Sequence, residues 1–143
     1  MQEKTNDQSG LESGGWKQRN IPGFIGLAGP LWMRRDDQGR RCGILIEEKH
    51  LNPVGVTHGG VLTTLIDHAV SIEAWEANER RACVTVDLST HFTGAAQLGE
   101  FVQASVELTH VTGSLLFLRA RLDVADRPIA QAQAIMKRLR AGQ

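Results

Sequence analysis

Apolar and polar residues alternate through the second half of the chain, but one stretch before it follows a longer period. Over residues 59–78, Val61, Leu62, Leu65, Ile66, Ala69 and Ile72 recur at helical spacing and predict one long helix with a wide apolar stripe. Glu73 falls within the stripe and Trp75 off it, so the pattern weakens in the last turn. Residues 82–92 change to period two, with Val84, Val86 and Leu88 on one face and Thr85, Asp87 and Ser89 on the other. Residues 101–110 and 115–124 alternate in the same way, which predicts strands. Residues 129–139 carry Ile129, Ile135 and Leu139, but their Ala/Gln-rich middle fits a helix as well as a strand.

Ahead of the helix, residues 31–35 and 41–47 flank Asp36-Asp37-Gln38-Gly39, a hairpin signal. Residues 49–57 read as a loop with Asn52, Pro53 and Gly55. Residues 20–30 are punctuated by Pro22, Gly23, Gly26, Gly29 and Pro30, while Ile21, Phe24, Ile25 and Leu27 could pin them to a core. The order is two strands, one long helix, then four strands in a meander, an α+β arrangement. Residues 1–18 are expected to be a flexible tail, because the first fifteen are polar with Leu11 as their internal apolar residue. Residues 19–143 are expected to form one domain.

Composition narrows the function. Sixteen Lys plus Arg balance sixteen Asp plus Glu, which argues against a nucleic-acid partner that must displace counterions. No apolar run approaches the ~18–20 residues of a membrane span. The polar start, with Glu3, Asp7 and Glu12, reads as neither signal nor transit peptide, so a cytoplasmic location is expected. Cys42 and Cys83 stand far apart; they are expected to be small buried hydrophobes, with no disulfide scaffold and no metal site.

The helix face opposite the apolar stripe is not charged, as a solvent face would be. Gly60, Thr63, Thr64, Asp67, Ser71 and Ala74 share it, and Asp67 is the one Asp, Glu, Lys or Arg between Gly59 and Ile72. Small neutral residues on both sides of a helix imply close packing on both sides, and a second copy of the chain supplies that most simply. Asp67 then either hydrogen-bonds local groups and solvent, or serves as a general base in a cleft. Thr57-His58-Gly59-Gly60 enters the helix with two glycines in its first turn. They make a tight corner, or they aim unpaired helix-start amides at a polarised carbonyl.

Taken together, Asn52, His58-Gly59-Gly60 and Asp67 in this register resemble the signature of the PaaI-like thioesterases of the hotdog superfamily. Val84-Thr85-Val86-Asp87-Leu88, the Gly99-Glu100 turn and Pro128-Ile129-Ala130-Gln131 are similar to that family too, so the resemblance spans about residues 32–139. It implies a hotdog fold, a long central helix wrapped by an antiparallel sheet of five to six strands. It also implies hydrolysis of acyl-coenzyme A thioesters with no cofactor, by a homodimer whose sites lie between subunits, with homodimer versus homotetramer left open. On this resemblance Gly59 polarises the thioester carbonyl, and Asn52 helps hold the carbonyl or the water. Asp67, from the opposite subunit, is general base or nucleophile, and Thr85 orients the water. His58 supports the loop. Gly60 and Thr64 line the substrate site, and Arg80, Arg81, Lys137, Arg138 and Arg140 are the candidates for phosphate contacts.

His91-Phe92-Thr93-Gly94 superficially resembles a segment of the hotdog dehydratases, but it follows the helix and has Thr93 where they have proline, so His91 reads as a strand residue. Two other readings stand beside hydrolysis: a non-catalytic acyl-CoA-binding hotdog protein, and a structural or interaction module whose helix face is a dimer seam.

Overall fold

His58 starts the long helix. Its backbone is extended and its ring Nδ1 accepts the Gly60 N–H at 2.8 Å, so one first-turn amide is capped. The structure, a computed structural model, describes residues 7–140. In chain order its elements are α1 (Gln8–Ser13), β1 (Lys17–Arg19), α2 (Phe24–Ala28), β2 (Leu31–Asp36), β3 (Gly39–Leu45), α3 (Gly59–Ala77), β4 (Cys83–Phe92), β5 (Phe101–Val111), β6 (Leu115–Val124) and β7 (Arg127–Arg138). A single 3-10 turn, Glu48–His50, lies in the loop before α3.

The seven strands form one antiparallel sheet in the order β1-β2-β3-β5-β6-β7-β4, one more strand than the upper end of the expected five to six. The extra strand is β1, only three residues long and carrying no apolar side chain, so no hydrophobic period marks it. β5, β6 and β7 make a meander, but β4 does not precede it in space: it pairs with β7 at the far edge. The expected four-strand meander is corrected accordingly, because the long α3 carries the chain from one side of the sheet to the other. The ambiguous Ala/Gln stretch is strand. Ala130, Ala132, Ala134 and Met136 are buried at alternate positions, and the three alanines are small enough to let α3 lie close.

The core lies between α3 and the concave face of the sheet. Leu62, Leu65, Ile66, Ala69, Val70 and Ala74 face alternate residues of the strands, including Ile44, Val102, Leu116, Leu122 and Ile129. A second, smaller cluster alters the picture of the N-terminus. Leu11 and Trp16 are buried with Trp32 and Phe101, and the Trp16 and Phe101 rings meet edge-on at 4.7 Å. Phe101 reaches this position because Gly43 leaves room; a Cβ there would lie 2.4 Å from its ring. From Asp7 on, therefore, the tail expected over residues 1–18 is docked; residues 1–6 lie outside the described residues. Trp16 is the anchor, with the Arg34 guanidinium 4.9 Å from its ring centroid.

Candidate active site

β4 runs antiparallel to α3, and three contacts set their alignment. The Cys83 thiol lies 3.7 Å from the Ala74 carbonyl, Thr85 Oγ1 lies 2.7 Å from Asp67 Oδ1, and the Phe92 ring lies beside Gly59. A bulge between Thr85 and Asp87 aims the middle contact. Thr85 pairs with Met136 and Leu88 with Ala134, both core-facing positions, whereas Asp87 pairs with Ile135 and Ser89 with Gln133. The extra residue, Val86, thus places Thr85 on the same face as Leu88. Uninterrupted alternation had put them on opposite faces, and the structure corrects that.

The Thr85 hydroxyl donates to Asp67 Oδ1. Asp67 lines an open cleft of about 400 Å³ together with Phe24, Ile25, Thr63, Thr64, His68 and Leu88. Thr63 and Thr64 turn their hydroxyls back to the carbonyls of Gly59 and Gly60, at 3.0 and 2.7 Å. His68 is half-buried, and burial pushes its pKa below the usual 6.5 while neighbouring Asp67 partly offsets the shift. His68, Phe24 and Ile25 escaped the sequence reading as site residues. His68 directly follows Asp67, and its place on the small-residue face was its one available signal.

The Asn52–Gly59 segment is a second, separate cluster. Asn52 Oδ1 accepts the N–H groups of Val54 and Val56, which leaves its amide nitrogen as the donor end of the side chain. Thr57 is buried and donates both its N–H and its hydroxyl to the Ala96 carbonyl. His58 N–H donates to the carbonyl of His50, itself buried with Nδ1 accepting from Glu47 N–H and Nε2 beside the Ala28 carbonyl. The loop is therefore held at both ends. Gly60 N–H is occupied by the His58 ring, so Gly59 carries the first-turn amide without an intrahelical acceptor.

Gly59 and Asp67 are eight residues apart on one helix, or roughly 12 Å along its axis at 1.5 Å per residue. One chain brings Asp67, Thr64 and Thr85 together, and separately Asn52, His58, Gly59 and Gly60. It does not bring the two sets to a common point. Arg80, Arg81, Lys137 and Arg138 form a third group beyond the C-terminal end of α3, where Cys83 pairs with Arg138 and Val84 with Lys137. Arg80 lies 3.7 Å from Glu76 and over the Trp75 ring, Arg81 lies 3.5 Å from Glu79, and Arg138 donates to the Gly113 carbonyl. Of the cysteines, Cys42 is buried and its thiol is pushed up to about 12, while Cys83 is only partly buried, contrary to expectation.

This fold is matched by known proteins. The family model of the thioesterase superfamily matches residues 54–130. Over 114 residues the chain is 32% identical to PA0474 of Pseudomonas aeruginosa, a protein named for a suspected esterase activity; the match covers 78% of this chain and 85% of that one. It is 33% identical over 95 residues to mouse acyl-coenzyme A thioesterase 13, covering 56% and 67%. Zebrafish thioesterase superfamily member 2 superposes with a TM-score of 0.74 at 24% identity, covering 84% and 89%. A mutant of the phenylacetic acid degradation protein PaaI from Thermus thermophilus does so at 0.70 and 20%, covering 81% and 98%. The chain belongs to the thioesterase superfamily and has the hotdog fold.

Proposed function

We propose that this chain hydrolyses acyl-coenzyme A thioesters to the free acid and coenzyme A, in sites shared between two copies. The observation that carries the reading is the Asp67 carboxylate in its cleft, held at 2.7 Å by Thr85, in a chain of the thioesterase superfamily. The name of the mouse relative supports the acyl-coenzyme A substrate.

In the proposed reaction the Gly59 N–H and the Asn52 amide of one copy polarise the thioester carbonyl of a substrate bound against Asp67 of the other. The rise along α3 supports this division, since Gly59 and Asp67 of one chain stand too far apart to act on one carbonyl. An edge also exists for the second copy. β4 is the last strand of the sheet, and Val84, Val86 and Phe92 on it are 42%, 57% and 51% exposed. Asp67 takes a proton from water while the water oxygen bonds to the carbonyl carbon, or it bonds there itself to form an anhydride that water then opens. The oxyanion rests on the Gly59 and Asn52 donors. The carbon–sulfur bond breaks as the carbonyl reforms, and the coenzyme A thiolate leaves. A positioned oxyanion donor contributes about 3–4 kcal/mol and general-base catalysis roughly 10²–10⁴-fold. His58 keeps the helix start in shape. Arg80, Arg81, Lys137 and Arg138 are the side chains proposed to meet the nucleotide phosphates.

Release of free thiol from a panel of acyl-coenzyme A substrates tests the reading. Turnover that disappears in Asp67→Ala, with the fold retained, is the expected result. Stoichiometric acyl-coenzyme A binding with no hydrolysis would instead establish a binding protein, and neither binding nor hydrolysis would leave an interaction module.

A further inference from the structure

We propose that Phe24 bounds the acyl subsite, and that the hydrolysed acyl group is apolar and larger than acetyl. The inference rests on the hydrolytic reading and adds the substrate's acyl class and a residue that selects it. α2 is five residues long, too short to hold a helical shape by itself, yet it is fixed from three directions. Ile25 packs against the main core, the Ala28 carbonyl meets the ring of buried His50, and the Leu27 carbonyl accepts from Lys49 Nζ at 3.2 Å. This places Phe24, a residue 70% exposed, at the cleft that holds Asp67. Isolated surface aromatics are common, but this one stands on a tethered segment beside the reactive carboxylate.

The walls around it ask for an apolar occupant. Ile25 and Leu88 contribute aliphatic surface. The Thr63 and Thr64 hydroxyls already donate to helix carbonyls, so neither requires a polar group from a ligand. Leu88 follows Thr85 on a strand antiparallel to α3, which sets this apolar part of the cleft on the Gly59 side of Asp67. A cleft of about 400 Å³ falls within the range of roughly 300–1,000 Å³ usual for small-ligand sites. α2 precedes the span 54–130 that the thioesterase family model matches, so Phe24 lies outside the segment that defines the family.

The test compares kcat/KM for hexanoyl-, benzoyl- and acetyl-coenzyme A in the unaltered protein, Phe24→Ala and Phe24→Leu, with the mass of the assembly measured for each by light scattering. Phe24→Ala is expected to lower the hexanoyl-to-acetyl and benzoyl-to-acetyl ratios about tenfold or more, in the range that lost apolar contacts give. Phe24→Leu should restore the hexanoyl ratio to within about threefold. Unchanged ratios in Phe24→Ala overturn the inference while leaving hydrolysis intact. A change in the number of subunits per assembly in Phe24→Ala assigns the ring to a subunit contact and overturns it as well. Absence of turnover on all three substrates in the unaltered protein defeats the hydrolytic reading, and this inference with it.

Discussion

Asp67 has one oxygen engaged by Thr85 and lies against the cleft, so the two residues divide the work of one group. Asp67→Asn keeps an acceptor for Thr85 but loses the base. It is expected to lower kcat by about 10²–10⁴-fold without changing the far-ultraviolet circular dichroism. Thr85→Val removes the donor and should cost less, about tenfold, with Thr85→Ser restoring the loss. His68 gives the pH dependence. Its pKa is lowered in the folded chain, chiefly by burial, so below about 6.5 the unfolded chain binds a proton that the folded chain refuses. Its contribution to stability is complete above pH 6.5 and is lost as pH falls toward its folded midpoint. Thermal unfolding from pH 8 to pH 5 should show Tm falling below pH 6.5, with a smaller fall in His68→Gln. At this scale the motif spacing pointed to Asp67, which the structure places in the cleft, while joining Asn52 and Gly59 to the same site belongs to the proposed function. His68 and Phe24 were not legible, because a half-buried histidine and an exposed ring reach the cleft only through tertiary packing.

Elements whose side-chain period was strong stand where the period predicts. The strand predicted over 115–124 is Leu115–Val124 in the structure, and the predicted 59–78 helix runs Gly59–Ala77. Short pieces escaped: α1, β1 and α2 are six, three and five residues long, less than two turns or a full strand of pattern. What holds them is contact made far along the chain, such as Trp16 on Phe101. Of the four apolar residues expected to pin residues 20–30, Ile21 and Ile25 pack against the core, while Phe24 and Leu27 stand exposed. Trp16→Ala should destabilise the protein by about 3 kcal/mol in denaturant unfolding, the usual scale for losing a buried large side chain. An unchanged midpoint would mean that the N-terminal cluster adds nothing to the core. The β4 bulge was invisible for a related reason: strict alternation has no term for an inserted residue, and only pairing with β7 reveals it. Deletion of Val86 should remove the bulge, turn Thr85 away from Asp67 and reduce kcat to the level of Thr85→Val or below.

The whole molecule explains a helix with one carboxylate and no other Asp, Glu, Lys or Arg from Gly59 to Ile72. One side of α3 packs on the sheet. The other presents Thr64, Asp67 and Ser71 to a cleft that a single chain leaves open. Under the proposed function a second copy closes that cleft and brings the Asn52–Gly59 donors to the distant Asp67. The sequence hinted at this arrangement through missing charge, and the roughly 12 Å along the helix supports it under the proposed chemistry. The most direct measurement is subunit complementation between Asn52→Ala and Asp67→Ala. Each variant alone should be nearly inactive. After the two are mixed in equal amounts and their subunits exchanged, half the dimers carry one of each chain, and one of the two sites in such a dimer is intact. Recovery of about a quarter of the unaltered activity is expected. A mixture that stays as inactive as its parents, with exchange confirmed by mass, would contradict a site built from two subunits.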